Sequence, residues 1–182
     1  MTNENDRTLW DSKWWNTAFL VFALLFFVRS YSGYFVCDDY LFLGNINLHN
    51  AASYFTKSWY YGNEYRPLVP ISYALDAAFS HDSPIGYHLT STLLHAGNAM
   101  LIATLVVMLG KTNRLARIAS LVYLLNPVGD EAVLWISGRT AVLSVFFILI
   151  CCYCFLRAAQ GGPKAAWLWA GAYASFLLAL GV

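Results

Sequence analysis

TAVLSVFFILICCYCFL, residues 140–156, carries no charged side chain and opens directly after Arg139. Lipid offers no partners for backbone N–H and C=O groups, so an apolar run of this length is read as a membrane-crossing helix. Four more charge-free runs accompany it, at 14–28, within 83–110, at 118–129 and at 165–182. The first falls short of the roughly 20 residues a span needs and lengthens past Arg29, whose stem can snorkel, toward Tyr34. The third is short enough to hold Arg114 and Arg117 at one interface. The last is still apolar where the sequence ends, which is expected of the N-terminal part of a longer chain or of a truncated product.

The composition agrees. Of 182 residues 59% are apolar, 17% aromatic and only 12% charged. A soluble domain carries about 25% charged residues and could not bury so much apolar surface. Mean hydropathy is +0.51. A net charge of +1 provides no basic field, so nucleic acid is not an expected partner. Of the four cysteines, Cys151, Cys152 and Cys154 share one apolar run and Cys37 lies outside it, which is neither a disulfide framework nor a zinc pattern. All four are expected to be packing residues. The mixed-charge segment before the first run, with no small-residue cleavage site after it, does not read as a cleavable signal.

Lys and Arg orient the spans. With residues 1–13 as a cytoplasmic tail, the inner segments hold seven basic residues (Arg7, Lys13, Lys111, Arg114, Arg117, Arg157, Lys164) and the outer ones four (Arg29, Lys57, Arg66, Arg139). Every acid beyond the tail then lies outside, and none interrupts a span, which argues against a proton relay or ion pump. Chemistry is therefore expected on the periplasmic or lumenal face.

The first outer loop, 30–84, reads as ordered. Leu48, Ala52, Phe55 and Trp59 recur at helical spacing, and Leu68, Ile71, Leu75 and Phe79 follow Arg66-Pro67. Both stripes predict helices lying at the membrane interface, with Trp59, Tyr60, Tyr61 and Tyr65 as interfacial aromatics. The expected fold is an all-α polytopic transmembrane bundle over 14–182, with about five spans and these two interfacial helices.

Few residues can carry chemistry. Asp38-Asp39 follows the first span; two adjacent carboxylates repel unless a cation or a task offsets them. They read either as a general base, with or without a metal, or as a solvated loop start. The second outer loop, 126–139, is short, so Asp130 and Glu131 must sit at the membrane surface, level with the first pair. Arg139 opens the fourth span and reads as a bidentate phosphate grip or as a snorkelling anchor. Arg66 reads the same way, or as the ion-pair partner of Glu64. His88, Thr92, His95 and Asn98 form a polar stripe on the second span, better suited to hydrogen bonding inside protein than to holding a metal.

Four motifs occur in order: Cys37-Asp38-Asp39-Tyr40; Tyr65-Arg66-Pro67-Leu68-Val69-Pro70-Ile71-Ser72-Tyr73-Ala74-Leu75-Asp76; Gly86-Tyr87-His88-Leu89-Thr90 with Leu93-Leu94-His95-Ala96-Gly97-Asn98-Ala99; and the loop from Asn126 to Arg139. Together, over residues 14–157, they resemble the N-terminal part of the GT-C membrane glycosyltransferases, closest to the protein O-mannosyltransferase-like and tetratricopeptide-linked transmembrane mannosyltransferases. The resemblance implies inverting transfer of a sugar, mannose by analogy, from a polyprenyl or dolichyl phosphate donor to an acceptor hydroxyl on a protein or glycan. By the resemblance Asp38 matches the family's first acid and Asp39 its neighbour, Glu131 the acid of the second outer loop and Arg139 the Arg that ends that motif; joined to the reading of the residues, this makes Asp38 and Asp39 the expected catalytic acids, Arg139 with Arg66 the donor-phosphate contacts, and Asp130 and Glu131 the acceptor or metal support. Family members carry His where Asn126 and Gly129 stand here, and Thr where Asp130 stands, so a divalent metal stays open. Expected partners are the lipid-linked donor, the acceptor and membrane lipids. A non-catalytic assembly or lipid-binding subunit with the same bundle is the alternative, and loss of activity on replacing Asp38 separates the two.

Overall fold

The computed structural model describes residues 13–44, 46–57, 65–81 and 83–182. All regular elements among them are helical, as the apolar runs predict. Helix α1 covers Lys13–Phe26 and ends in a 3-10 turn, Val28–Ser32. Three helices follow in the first loop: α2 (Asp38–Leu43), α3 (Leu48–Ala51) and α4 (Leu68–Ser80). Then come α5 (Pro84–Met108), α6 (Asn113–Leu124), α7 (Pro127–Leu134), α8 (Arg139–Ala159) and α9 (Ala165–Leu180).

Helix α5 is the hub. It packs on α1, α4, α6, α7 and α8. Ala96, Ala99 and Ala103, all fully buried, let neighbouring backbones come close. Phe19, Ala23 and Phe27 of α1 and its exit meet Ala96, Ala99, Leu124 and Val142 in one apolar cluster. A second cluster joins Val69, Tyr73 and Ala74 of α4 to Tyr87, Ile136 and Leu143. Helices α8 and α9 form a hairpin turned by Gly161 and Gly162, whose φ of 75° and 110° suit glycine. At Gly171 an added Cβ would sit 3.3 Å from the Cys154 sulfur, so the glycine permits the close approach. The Leu68 N–H donates to the Gly181 carbonyl, 3.1 Å, which ties the first loop to the end of α9.

Among the described residues, two helical stretches are long and apolar enough to cross a membrane, Pro84–Met108 and Ile136–Ala159. The apolar helices Trp14–Phe26, Leu68–Ser80 and Ala165–Leu180 are shorter. Two expectations need correction. The run 118–129 is not one helix: α6 stops at Leu124 and α7 begins at Pro127. Proline has no N–H to give and disfavours helical geometry in the residue before it, so the chain breaks at Asn126. The 12 residues of α6 rise only about 18 Å, well short of a bilayer core. The helix expected from Leu48 to Trp59 is one α-turn, capped reciprocally by Asn47 and Asn50, followed by a 3-10 turn, Ala52–Phe55. Ser53 and Thr56 there donate to carbonyls three residues back, which competes with continuation of the helix. Trp59, Tyr60 and Tyr61 lie outside the described residues.

In α4 the buried face is Val69, Pro70, Tyr73, Ala74 and Asp76. Leu75 and Phe79 of the predicted stripe, 50% and 85% exposed, point away from protein.

Candidate functional site

The site grows from a strained turn. Cys37 has φ 51° and ψ −111°, a backbone region that costs a non-glycine residue roughly 1–3 kcal/mol and persists only where surroundings enforce it. The enforcement is visible. The Val36 N–H donates to Asp39 Oδ2 at 2.9 Å, and the Asp39 N–H donates back to the Val36 carbonyl at 3.0 Å. Asp38 and Asp39 thus open α2, where carboxylates suit the positive end of the helix.

The two acids are not equivalent. Asp39 is 1% exposed, and its other oxygen accepts from both the N–H and the hydroxyl of Ser137, at 2.9 and 2.5 Å. Asp38 is half-buried, and no hydrogen bond ties its carboxylate among the described residues. The sequence reading made both catalytic; the geometry engages Asp39 with three donors and leaves Asp38 uncommitted.

An open cleft of about 600 Å³ lies beside this turn, lined by Val36, Cys37, Asp39, Glu131, Leu134 and Trp135 among others. Glu131 comes from α7 and is exposed. Asp39 of the first loop and Glu131 of the second therefore line one cleft. Asp130 lies on the same short helix, and its side chain is outside the described residues. Trp135 brings a buried indole N–H with no hydrogen-bond partner. Cys37 is exposed and lines the cleft, and Cys152 is exposed on α8, so neither is the packing residue expected.

Arg139 occupies a different place from the one expected. It is fully buried and forms an ion pair with Asp76 of α4. Its Nε donates to Ser91 Oγ at 3.2 Å and Nη2 to the Tyr87 carbonyl at 2.6 Å, while the guanidinium lies 4.7 Å from the Tyr73 ring centre. Thr90 donates to the second Asp76 oxygen at 2.6 Å. The Tyr73 hydroxyl donates to the Ile136 carbonyl at 2.8 Å; burial pushes its ionisation far above the usual tyrosine range, against a smaller opposing pull from Arg139. With no exposed atom and its charge already paired, Arg139 offers no direct contact to a phosphate in this arrangement. Arg66 is half-buried just before α4 and has a partner within the protein.

The polar stripe on α5 faces protein. His88, Thr92, His95 and Asn98 are at most 2% exposed. Asn98 donates to the Val142 carbonyl at 2.9 Å, and His95 stacks on Tyr123 with ring centres 4.8 Å apart. Among the described residues no three metal-ligating side chains come together.

Sequence reasoning passed over Asp76 and Ser137. Asp76 had a signal: it falls three residues after Tyr73 and seven after Val69, on the buried face of α4. Ser137 had none beyond its place in the second loop.

The motifs quoted above resemble those of membrane glycosyltransferases. Curated relatives give that resemblance particulars. The chain is 33% identical over 107 residues to protein O-mannosyl-transferase tmtc2 of Xenopus laevis, covering 58% of this chain and 13% of the relative. It is 32% identical over 105 residues to human protein O-mannosyl-transferase TMTC3, covering 58% and 11%. Human protein O-mannosyl-transferase TMTC4 matches at 25% over 177 residues, covering 81% and 24%. The chain thus spans between a tenth and a quarter of these relatives' lengths. No family model matches it, and no solved structure does.

Proposed function

We propose that this chain is the acid-bearing part of a membrane glycosyltransferase that moves mannose from a polyprenyl or dolichyl phosphate donor to a hydroxyl on a protein acceptor. The reaction takes place on the periplasmic or lumenal face of an integral membrane protein. The observation that carries this reading is the cleft itself, where Asp39, tied to Ser137, and Glu131 stand together next to the uncommitted Asp38. The names of the relatives supply the sugar and the acceptor class.

The acceptor oxygen attacks the anomeric carbon from the face opposite the phosphate. The bond from that carbon to the phosphate oxygen breaks, the configuration inverts, and the lipid phosphate leaves with the bonding pair. Asp38 takes the acceptor's proton, a role open to a carboxylate within hydrogen-bond reach of the hydroxyl. Glu131, exposed in the cleft, orients the acceptor. Arg66 is the cation assigned to the leaving phosphate, where a guanidinium stabilises developing charge. Arg139 serves from inside the protein, by fixing α4 to α5 and α8.

The test is transfer from radiolabelled mannosyl polyprenyl phosphate to a Ser/Thr peptide by the full-length protein in proteoliposomes. Mannosyl peptide and free polyprenyl phosphate should form in equal amounts. A properly inserted protein that binds the donor and forms neither product has the non-catalytic, lipid-binding role instead.

A further inference from the structure

Three of the four residues from Ile136 to Arg139 join the first loop to the helices that follow it. Ile136 accepts from Tyr73, Ser137 donates twice to Asp39, and Arg139 pairs with Asp76. At Gly138 an added Cβ would stand 2.8 Å from the Ala132 Cα, so the turn is also pressed against α7, which bears Glu131. Tyr73 and Arg139 hold the body of the loop. Of these four residues, Ser137 is the one with hydrogen bonds to the turn that carries the acid pair.

The geometry points to Ser137 as a positioning residue that, through the Asp39 carboxylate, sets the orientation of Asp38, whose two chain neighbours line the cleft. The inference rests on the function proposed above for its consequence in turnover, but its structural content stands apart from it. Three facts compel it. Asp39 is buried and its oxygens are engaged by three donors, so it is a poor candidate for accepting a proton from substrate. One of its oxygens closes the Val36–Asp39 turn and the other reaches 98 residues along the chain, so a single carboxylate couples the local turn to the second loop. The peptide between those contacts holds Cys37 at positive φ, a conformation that relaxes once the constraint is lifted. Asp38 is the next residue along the chain, and relaxation at Cys37 re-aims it.

The role differs from a stability role in what it predicts. A serine hydroxyl that merely stabilises the fold would change melting without selectively changing the residue next to Asp39. A hydroxyl that aims Asp38 changes the environment of residue 38 and the chemical step, while leaving donor binding alone. Threonine keeps the hydroxyl and should keep the effect; alanine keeps only the backbone N–H donor.

Two measurements on the full-length protein in membranes decide it. In the first, Asp38→Cys in a Cys37→Ser background is treated with N-ethylmaleimide, and the peptide bearing residue 38 is quantified by mass. Adding Ser137→Ala should change the modification rate by about threefold or more, because a charge-assisted hydrogen bond that holds the turn is gone. Adding Ser137→Thr should leave the rate unchanged. Equal rates in all three overturn the inference, whatever the protein's activity. In the second, Ser137→Ala should lower kcat for mannosyl transfer by about 10- to 100-fold, the scale of a slightly misplaced group, with the donor KM within about twofold. Ser137→Thr should recover most of it, and Asp39→Asn with Ser137→Ala should be no worse than the poorer single variant. Near-parental kcat in Ser137→Ala, or a loss that threonine does not rescue, overturns the inference. If the parent protein itself transfers no mannose, the proposed function fails, and the maleimide rates still decide the role of Ser137. Should Ser137→Ala not insert, Asp39→Asn, which keeps size and shape, replaces it in the labelling measurement with the same expected change.

Discussion

Arg139 and Asp76 form an ion pair in the interior, although 63 residues separate them, with the guanidinium wholly buried and the carboxylate almost so. Desolvating two charges is costly, and their attraction offsets it only when the remaining donors and acceptors are satisfied. Here Ser91, Tyr87 and Thr90 satisfy them. The pair fastens α4, an element of the first loop, to α5 and α8.

Removing one partner should therefore be severe. Asp76→Ala or Arg139→Ala leaves an uncompensated buried charge and should cost about 3–5 kcal/mol. Thermal melting in detergent, with retention on size exclusion as the folding check, measures it. Arg139→Lys should not rescue, since one ammonium cannot reproduce a planar fork shared among Asp76, Ser91 and the Tyr87 carbonyl. A double change to an apolar pair of similar volume should be milder than either single change.

Asp38→Asn should reduce turnover by about 10²–10⁴-fold, the usual contribution of a general base, with little change in donor binding. Single-turnover transfer and donor binding, measured side by side, separate the two. Glu131→Gln is the comparison that shows whether the proton goes elsewhere.

Gly138→Ala places a Cβ against the Ala132 backbone, which cannot swing aside as a side chain can. The expected cost is about 1–3 kcal/mol, typical of overpacking. It should move α7, and the fluorescence of Trp135 in the cleft wall is a direct readout.

Tyr73→Phe removes the donor to the buried Ile136 carbonyl. The expected loss is about 1–3 kcal/mol, the penalty of an unsatisfied buried acceptor. Equilibrium unfolding of the purified protein in mixed micelles gives the value.

The Lys/Arg bias predicts one sidedness for the acids. Tyr34→Cys and Glu131→Cys, both at exposed positions, should react with an impermeant thiol reagent from the outer face, and Lys164→Cys only after permeabilisation. Labelling of Glu131→Cys from the cytoplasmic side alone would reverse the orientation.

Helix locations were legible because a helix satisfies its backbone within its own residues. The charge-free runs at 83–110, 140–156 and 165–182 contain or coincide with α5, α8 and α9, and Pro67 announced α4. The break at Asn126 was also written locally, in Pro127, but the apolar run on either side masked it. The same local information placed Asp38-Asp39 and Glu131 in two loops able to meet.

What tertiary structure alone decided is which charges are spent on holding the protein together. Asp38 and Asp39 are chemically identical neighbours, and nothing in their local sequence says which one Ser137 will engage. Arg139 at the end of the second loop is equally suited to a phosphate or to Asp76 until α4 packs against α5 and α8. A hydrogen bond or ion pair across 98 or 63 residues depends on the relative placement of whole helices. That placement is set by many small packing contacts, such as those of Ala96 and Ala99, and no single residue encodes it.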